Sequence, residues 1–391
     1  MYRLRVSCPF FIDIALSNGS YGFKLIGMKN IIMFILSTLV LFSCSGNQSD
    51  RDLFNGEIHY VKDESVISKD MVSHQILLDG IYTGMIAVHD SLLVCWEPSY
   101  QSHFVNLFNV DTGKEIGHFC PQGQGPNEFS NTNPVYQFFK NGDDLVTLFD
   151  GNLRSLAFWN ITKSIQTNTT VYDTIMHEKG GLGLFFYYLP AGALLNVVSS
   201  SFTDIRNATT PYCERRSLYS EEEVQRFPIY NFESVSNQSA SKPVGRFFNT
   251  WNALKPDGTK LVQAMSYLPQ LNVIDTSTGQ VIGYRLDDGT DYSLVQTEMK
   301  NLKRYYLSVQ ASDKYIYAAY WGKESWGSNL GNSMPKFDQI HVFDWDGNLL
   351  YKLNTDRSYY IIWLDTVRNR LYTRDWNTDE IYYLDLNKLE S

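Results

Sequence analysis

The chain has 391 residues, 43% of them hydrophobic, and its 26 Tyr, 23 Phe and 8 Trp make an aromatic share of 15%. Aromatic side chains favour the half-buried surface of a strand, so this composition favours an all-β fold. The formal net charge of −9 excludes nucleic acid as an expected partner, because a phosphate backbone is bound by basic surfaces.

The N-terminal region, residues 1–43, has the pattern of an export signal. Met28-Lys29-Asn30 precedes an apolar run at 31–42 that is broken only by Ser37 and Thr38. A short positive region followed by an apolar run too short to span a bilayer is typical of a secretory signal. We predict that this signal is cleaved and that Met28 is the true start.

The end of this region, Leu41-Phe42-Ser43-Cys44, resembles a bacterial lipobox. The resemblance implies that the Cys44 thiol carries a diacylglycerol anchor and that cleavage occurs just before it. Residues 44–55 are mostly small and polar, which predicts a flexible tether. The protein is therefore expected at the cell envelope, held to a membrane by lipid. Ser45 lacks the acidic signal for inner-membrane retention, which favours the outer membrane.

The cysteines beyond the anchor, Cys95, Cys120 and Cys213, follow no regular spacing, and neither they nor Cys8 and Cys44 form a CxxC pair. The histidines are scattered singly along the chain. These patterns predict no metal site and no cofactor. A disulfide among the last three cysteines stays open, because an oxidising compartment would permit one.

Residues 56–391 consist of short alternating apolar runs separated by turn signals. The clearest unit has runs at 85–88, 92–96, 104–110 and 115–119, which predict a four-stranded antiparallel meander. We count six copies, the weakest at 181–230, and predict one six-bladed β-propeller. The last copy lacks a fourth strand, so we predict that Glu57–Val61 supplies it and closes the ring.

Two segments carry a family resemblance. Residues 123–129 read Gly-Gln-Gly-Pro-Asn-Glu-Phe, and residues 342–348 read Val-Phe-Asp-Trp-Asp-Gly-Asn. With these motifs, residues 56–391 resemble the TolB-like six-bladed propeller lipoproteins of Bacteroidetes, with similarity also to NHL-type propellers. Asn127 stands where that family usually has glycine. The resemblance implies a propeller and a lipid anchor, and it implies no defined reaction.

Both motifs also have a simpler structural interpretation. Gly123 and Gly125 lack the third glycine and the strand-helix context of a dinucleotide loop, so we predict a tight crossing between blades. Asp344, Asp346 and Asn348 have the oxygen spacing of a calcium loop, but Thr355 stands where the closing glutamate belongs. We therefore predict a hairpin turn there.

The loops between the second and third strands of each blade lie on one face of a propeller, around the mouth of its channel. In this chain those loops are rich in Trp, Tyr and Arg, residue types that favour recognition surfaces. A long glycine-containing loop at 321–336 is the most prominent. The predicted ligand-binding residues are Trp96, Tyr100, Arg154, Tyr267, Trp321, Trp326, Arg374 and Trp376. Packing between blades stays open as the role of Trp96, Trp321 and Trp376.

The first functional hypothesis is a non-enzymatic module at the cell envelope that binds a protein or a glycan. The alternative is a propeller enzyme, a lyase or glycosidase, acting on glycans. A third possibility is a structural partner in an outer-membrane complex. No catalytic residue is predicted. Carboxylates grouped with Arg or Tyr around one reacting bond would separate the enzyme from the binding module.

Overall fold

The structure of the protein is a computed structural model. It describes residues 48–63, 66–80, 84–97, 102–132, 137–177, 182, 185–189, 192–198, 210–218, 224–231, 247–297, 301–324 and 336–389. The predicted signal region and lipidation site Cys44 lie outside these residues, as do Tyr100 and Trp326. Within the described part of the chain, no helix is long and apolar enough to cross a membrane.

The N-terminal segment runs along the outside of the sheets. Its elements are helix α1 (Gln48–Leu53) and strands β1 (Glu57–Val61), β2 (Ile67–Met71) and β3 (Ser73–Ile76). Each of these strands joins a different part of the domain, as described below.

The next eight strands form two four-stranded antiparallel groups. Group 1 contains β4 (Met85–His89), β5 (Leu92–Trp96), β6 (His103–Asn109) and β7 (Glu115–Pro121). Group 2 contains β8 (Phe138–Asn141), β9 (Asp143–Asp150), β10 (Ser155–Asn160) and β11 (Tyr172–His177). A helix that the repeat pattern does not predict, α2 (Ile161–Thr167), begins where the Asn160 side chain accepts a hydrogen bond from the Lys163 amide at 2.8 Å.

Two further groups follow in the same order. Group 3 contains β12 (Phe185–Leu189), β13 (Ala193–Val198), β14 (Tyr212–Ser217) and β15 (Val224–Pro228). Group 4 contains β16 (Thr250–Leu254), β17 (Lys260–Met265), β18 (Gln270–Asp275) and β19 (Val281–Leu286), and a 3₁₀ turn at Tyr292–Gln296 follows it.

The remaining strands belong to one eight-stranded sheet. They are β20 (Lys303–Ala311), β21 (Tyr315–Glu324), β22 (Phe337–Asp344), β23 (Leu349–Asp365), β24 (Arg370–Asp375) and β25 (Ile381–Asp385), and a 3₁₀ turn at Leu386–Leu389 ends the described chain. The sheet is completed by β3, which pairs with β25, and by β2, which pairs with β23.

The long strand β23 explains why five sheets are found where the repeats predict six. Residues 349–354 pair with β22, and residues 362–365 pair with β24. The predicted fifth and sixth copies are thus joined by one extended strand of 17 residues. Group 5 is β20 to β22 with the first part of β23, and group 6 is the second part of β23 with β24, β25 and β3.

The prediction that Glu57–Val61 completes the last group is wrong. Strand β1 lies parallel to β19, on the outer edge of group 4, with Glu57 opposite Ile282. The N-terminal strand that reaches group 6 is β3, in which Ile76 lies opposite Ile381 of β25. The sequence pattern identifies an unpaired edge correctly, but it does not specify which nearby strand covers that edge.

A buried ion pair holds β1 at group 4. Asp50 of α1 is 4% exposed, and both its carboxylate oxygens lie 3.0 Å from Nη1 of Arg285, which is fully buried. Leu53 and Phe54 are buried beside it. Part of the predicted tether, residues 44–55, therefore packs as part of the folded domain, from α1 onward.

The apolar core is divided into six clusters, each between two consecutive groups. One cluster joins group 6 to group 1, through Ile361 and Tyr372 on one side and Ile86 and Phe108 on the other. The other five follow the chain order from groups 1 and 2 to groups 5 and 6. Each group thus buries both of its faces, which a single sheet cannot do alone.

The structure also settles two smaller questions. Cys95, Cys120 and Cys213 are buried free thiols, so none of them is in a disulfide. Burial raises the pKa of the Cys95 thiol to about 12. The Asp344 carboxylate accepts hydrogen bonds from the amides of Asp346 and Asn348, which confirms the hairpin turn. Gly347 has φ +82° there, and a Cβ at this position would lie 1.9 Å from the Tyr284 ring.

Candidate functional site

A central cavity of about 1260 Å³ lies between the groups. The first strand of every group contributes to its wall, and β13, β14 and β15 of group 3 extend it outward. On β4 and β16 the lining residues span the whole strand, from Met85 to His89 and from Thr250 to Leu254. The cavity therefore follows the first strands along their length.

Contacts between neighbouring groups hold these first strands in place. Trp363 Nε1–H of group 6 donates to the carbonyl oxygen of Val88 in group 1 at 2.9 Å. Between groups 2 and 3, the Gln137 side chain donates to the Tyr188 carbonyl at 2.7 Å and accepts from the Tyr188 amide at 2.5 Å. The cavity wall is consequently built from strands with satisfied backbone groups, and not from loops alone.

The wall combines aromatic rings with amide and hydroxyl groups. The aromatic lining residues are Phe138, Phe185, Tyr187, Tyr212, Trp251 and Trp363. The amide-bearing ones include Gln137, Asn196, Asn249, Asn252 and Gln310. Such a lining suits an organic ligand that has both apolar faces and hydrogen-bonding groups.

The carboxylates of the wall are each close to an arginine. Arg368 Nη1 lies 3.5 Å from Asp90 Oδ1 and 3.4 Å from Asp365 Oδ2. Arg226 Nε donates to Glu214 at 2.9 Å, and Arg216 lies 3.7 Å from the same carboxylate. These contacts neutralise the acidic side chains of the cavity among the residues that the structure describes.

Arg304, at the start of β20, differs from these arginines. In the described part of the chain it has no carboxylate partner, and its Nε, like that of Arg216, is buried without a hydrogen bond. The guanidinium lies 5.7 Å from the centroid of the Tyr267 ring. The cavity therefore has a cationic group that is not neutralised within the described protein.

Backbone hydrogen bonds place two polar side chains beside this position. The Ser266 amide donates to the Asn249 carbonyl at 2.9 Å, and the Tyr305 amide donates to the Ser266 carbonyl at 2.9 Å. Asn249, Ser266 and Arg304 thus meet at the junction of groups 4 and 5, and all three line the cavity.

Six of the predicted ligand-binding residues are described, and none of them lines the cavity. Arg154 is exposed in a turn, with φ +51°. Tyr267 is buried next to Arg304, and Trp321 is half-buried against the core shared by groups 5 and 6. Any ligand binding by these residues would therefore take place outside the cavity.

Two predicted residues, Arg374 and Trp376, do come together, on the side of group 6 that faces group 1. Arg374 is 1% exposed and donates to the Gly84 carbonyl, next to the Met85–Trp96 pair of group 1. Arg374 and Trp376 both contact the Tyr360 ring, at 5.5 and 6.2 Å. Trp96 Nε1–H donates to Thr132 at 2.5 Å. Trp96 thus packs against the core shared by groups 1 and 2, whereas Trp376 contacts a ring of its own group.

The cavity residues are not among the predicted binding residues, because those were chosen from loops and the cavity is lined mainly by strands. The usable signal was a polar residue inside the first apolar run of a copy, such as Asn252 in 250–254 or Ser308 in 303–311. A polar side chain on the innermost strand lies at the channel, and its position in the copy was available from the repeat.

The fold and the central cavity together define a propeller-like, all-β protein. No family model matches this chain, and no curated protein matches it. Among solved structures it is similar to a member of the DUF4221 family from Bacteroides vulgatus, with a TM-score of 0.51 and 11% identity over 85% of this chain and 97% of that one. It is also similar to regucalcin, a calcium-binding protein from Agrobacterium tumefaciens, with a TM-score of 0.46 and 10% identity over 82% of this chain and 96% of that one.

The first of these likenesses supports the propeller-like fold over most of the chain. At 11% identity it shows the fold alone. Within the described residues no group of three or more His, Cys, Asp or Glu side chains could hold a metal ion.

Proposed function

We propose that this protein is a lipid-anchored, non-enzymatic binding module of the cell envelope, whose six-bladed propeller holds a ligand in its central cavity. Cys44 carries the anchor, and the outer membrane is the membrane in which it is held. The partner bound is an envelope protein or a glycan. The observation that carries the proposal is the cavity of about 1260 Å³ surrounded by the first strands of all groups.

The six blades correspond to groups 1 to 6. Support comes from the apolar clusters, one between each pair of consecutive groups and one between group 6 and group 1. Strand β3 takes the place of the missing fourth strand of the last blade. This arrangement closes the ring with strands from both ends of the domain and covers an otherwise exposed sheet edge. It agrees with the resemblance to TolB-like propeller lipoproteins.

The size and lining of the cavity favour ligand binding. Pockets for small ligands usually have volumes of about 300–1,000 Å³. At about 1260 Å³, this cavity has room for a ligand larger than a single small molecule. Its walls belong to hydrogen-bonded strands, which positions the aromatic and amide side chains before any ligand arrives. Such preorganisation lowers the entropic cost of binding.

The pairing of the carboxylates favours binding over glycan cleavage. A glycosidase needs two carboxyl groups placed around one bond, about 5–10 Å apart, one of them able to donate a proton. Asp90 and Asp365 are both held by Arg368, and Glu214 is held by Arg226. These contacts occupy the carboxylates with arginine partners, which suits a binding wall better than a pair of catalytic carboxyl groups around one bond.

The proposal is tested by filling the cavity. Gln310 lines it, and Gln280 lies exposed on a turn of group 4, so Gln310→Trp and Gln280→Trp are matched variants. We expect wild type and Gln280→Trp to recover the same ligand from an envelope extract, identified by mass spectrometry, and Gln310→Trp to lose it. Equal recovery by all three would overturn the cavity as the binding site, and a recovered glycan that is cleaved would favour the enzyme.

The same preparations test the anchor. Because the anchor is covalent lipid, Cys44→Ser should move the protein from the membrane pellet to the soluble fraction with an unchanged melting temperature. Retention of the serine variant in the pellet would contradict the lipid anchor without affecting the cavity result.

A further inference from the structure

The junction of groups 4 and 5 carries a polar subsite inside the cavity. Asn249, Ser266 and Arg304 line it, and the two backbone hydrogen bonds of 2.9 Å described above fix their order across the junction. Ser266 is 2% exposed. The backbone positions of the three residues are therefore next to one another, and all three line the cavity.

Arg304 differs from the charged and amide groups of the wall that have protein partners. Gln137 is hydrogen-bonded to the Tyr188 backbone, and Glu214 is hydrogen-bonded to Arg226. In contrast, the structure shows no hydrogen bond from the side chain of Arg304 to any described residue, and its Nε is buried. Arg304 as a whole is half-buried, but a buried donor such as its Nε is costly without a partner unless a ligand supplies the acceptor.

The geometry favours a planar anion. The guanidinium of Arg304 is supported by the Tyr267 ring, at 5.7 Å, which limits its orientation. A guanidinium held in one plane presents paired N–H donors that match the two oxygens of a carboxylate. The net charge of the chain is −9, so an unneutralised cation in its central cavity is a specific attraction for an anionic group.

The surroundings favour a sugar as the carrier of that carboxylate. Trp251 lines the cavity on the strand that begins beside Asn249, and its ring contacts Phe185 at 6.1 Å. Aromatic faces pack against the apolar face of a pyranose ring, while the amide of Asn249 and the hydroxyl of Ser266 are suited to its hydroxyl groups. The cavity volume of about 1260 Å³ accommodates several sugar units.

We propose that Arg304, with Asn249 and Ser266, binds the carboxylate of a uronic acid unit in an oligosaccharide held in the cavity. This inference rests on the proposed binding function and specifies its ligand class. Arg304 would select acidic over neutral glycans, and the aromatic wall would contribute binding area common to both.

The test is titration calorimetry of the lipidated chain in detergent with trigalacturonate and with its methyl ester, which lacks the charge. Arg304→Met is compared with Lys303→Met, which removes the same charge from the adjacent, exposed residue of β20. We expect trigalacturonate to bind more tightly than the ester, and Arg304→Met to weaken it by about tenfold to a hundredfold, the value of a hydrogen-bonded charge. Lys303→Met should bind as wild type does.

If Arg304→Met does not fold, two other measurements test the same proposal: binding by Arg304→Lys, and binding by the wild type at increasing salt concentrations. The lysine variant should retain part of the preference for the acid, and salt should weaken binding of the acid more than of the ester. Equal binding of acid and ester, equal losses in Arg304→Met and Lys303→Met, or binding of a peptide with a free carboxylate but not of trigalacturonate would each overturn the uronate assignment. The binding function itself would fail only if Gln310→Trp also kept its captured ligand.

Discussion

The N-terminal segment is attached to the domain at two ends that are built differently. At its start, α1 and β1 are held on group 4 by Asp50, which is 4% exposed and paired with the fully buried Arg285. At its end, β3 is held on group 6 by its strand pairing and by exposed hydrogen bonds from Ser73 to Asp356. An aspartate thus takes part in both attachments, as a buried ion-pair partner in the first and as an exposed hydrogen-bond acceptor in the second.

The difference lies in what is left behind when the aspartate is removed. A buried pair contributes little compared with an apolar replacement, but removing one partner leaves an uncompensated charge in the interior. An exposed carboxylate is replaced by water when its contact is lost. Both attachments include a backbone ladder, β1 with β19 and β3 with β25, but the first also depends on one buried charged residue.

The largest effect is expected for Asp50→Ala. It leaves Arg285 buried with only Gln270, the Thr290 carbonyl and the Tyr292 ring as partners. We expect a loss of about 3–5 kcal/mol in the free energy of unfolding, measured with urea. The double variant Asp50→Leu with Arg285→Met should recover most of this loss. A change below about 1 kcal/mol in Asp50→Ala would show that α1 is not held by this pair.

Local features of the fold could be predicted from the sequence, because strand alternation and turn residues act over a few positions. The runs predicted at 85–88, 92–96, 104–110 and 115–119 agree with β4 to β7 within two residues at each end. The hairpin at Asp344 was predicted for the same reason. Its carboxylate binds amides two and four residues further along.

Long-range features could not be predicted in this way. The position of β1 is set by Asp50 and Arg285, which are 235 residues apart, and no local pattern connects them. Strand β23 runs without a turn from the fifth predicted copy into the sixth, so no turn residues mark the boundary between them. The subsite at Arg304 depends on which strands line the cavity and on the contact between groups 4 and 5, so its residues come together only in the folded domain.

A second prediction concerns the pH dependence of stability, which we expect to come from a histidine in the core and not from either attachment. His341 of β22 is fully buried, and burial, with Lys352 opposite, lowers the pKa of its imidazole from about 6.5 to about 3. The unfolded chain therefore takes up this proton first, so stability falls as the pH drops from about 6.5 towards 3. The expected loss is about 2 kcal/mol between pH 7 and pH 5.

This acid loss should occur equally in the wild type and in variants of either attachment. His341→Gln should reduce it, measured as urea midpoints at pH 7 and pH 5. The opposite result would be an unchanged pH dependence in His341→Gln and its loss in Asp50→Ala. It would show that the acid-sensitive element is the first attachment and not the core.

The smallest effect is expected for Asp356→Ala, the exposed counterpart of Asp50→Ala. The Asp356 carboxylate accepts from the Ser73 amide at 3.1 Å and from the Ser73 hydroxyl at 3.0 Å, both at the surface. Because water replaces these contacts and β3 keeps its pairing with β25, global stability should fall by about 1 kcal/mol or less. The loss should be local: amide hydrogen exchange of β3 should become faster, and exchange of β25 should stay slow because β24 still pairs with it. A loss as large as that of Asp50→Ala, with fast exchange throughout group 6, would show that this single carboxylate closes the last group, and that the two attachments are equally dependent on their aspartates.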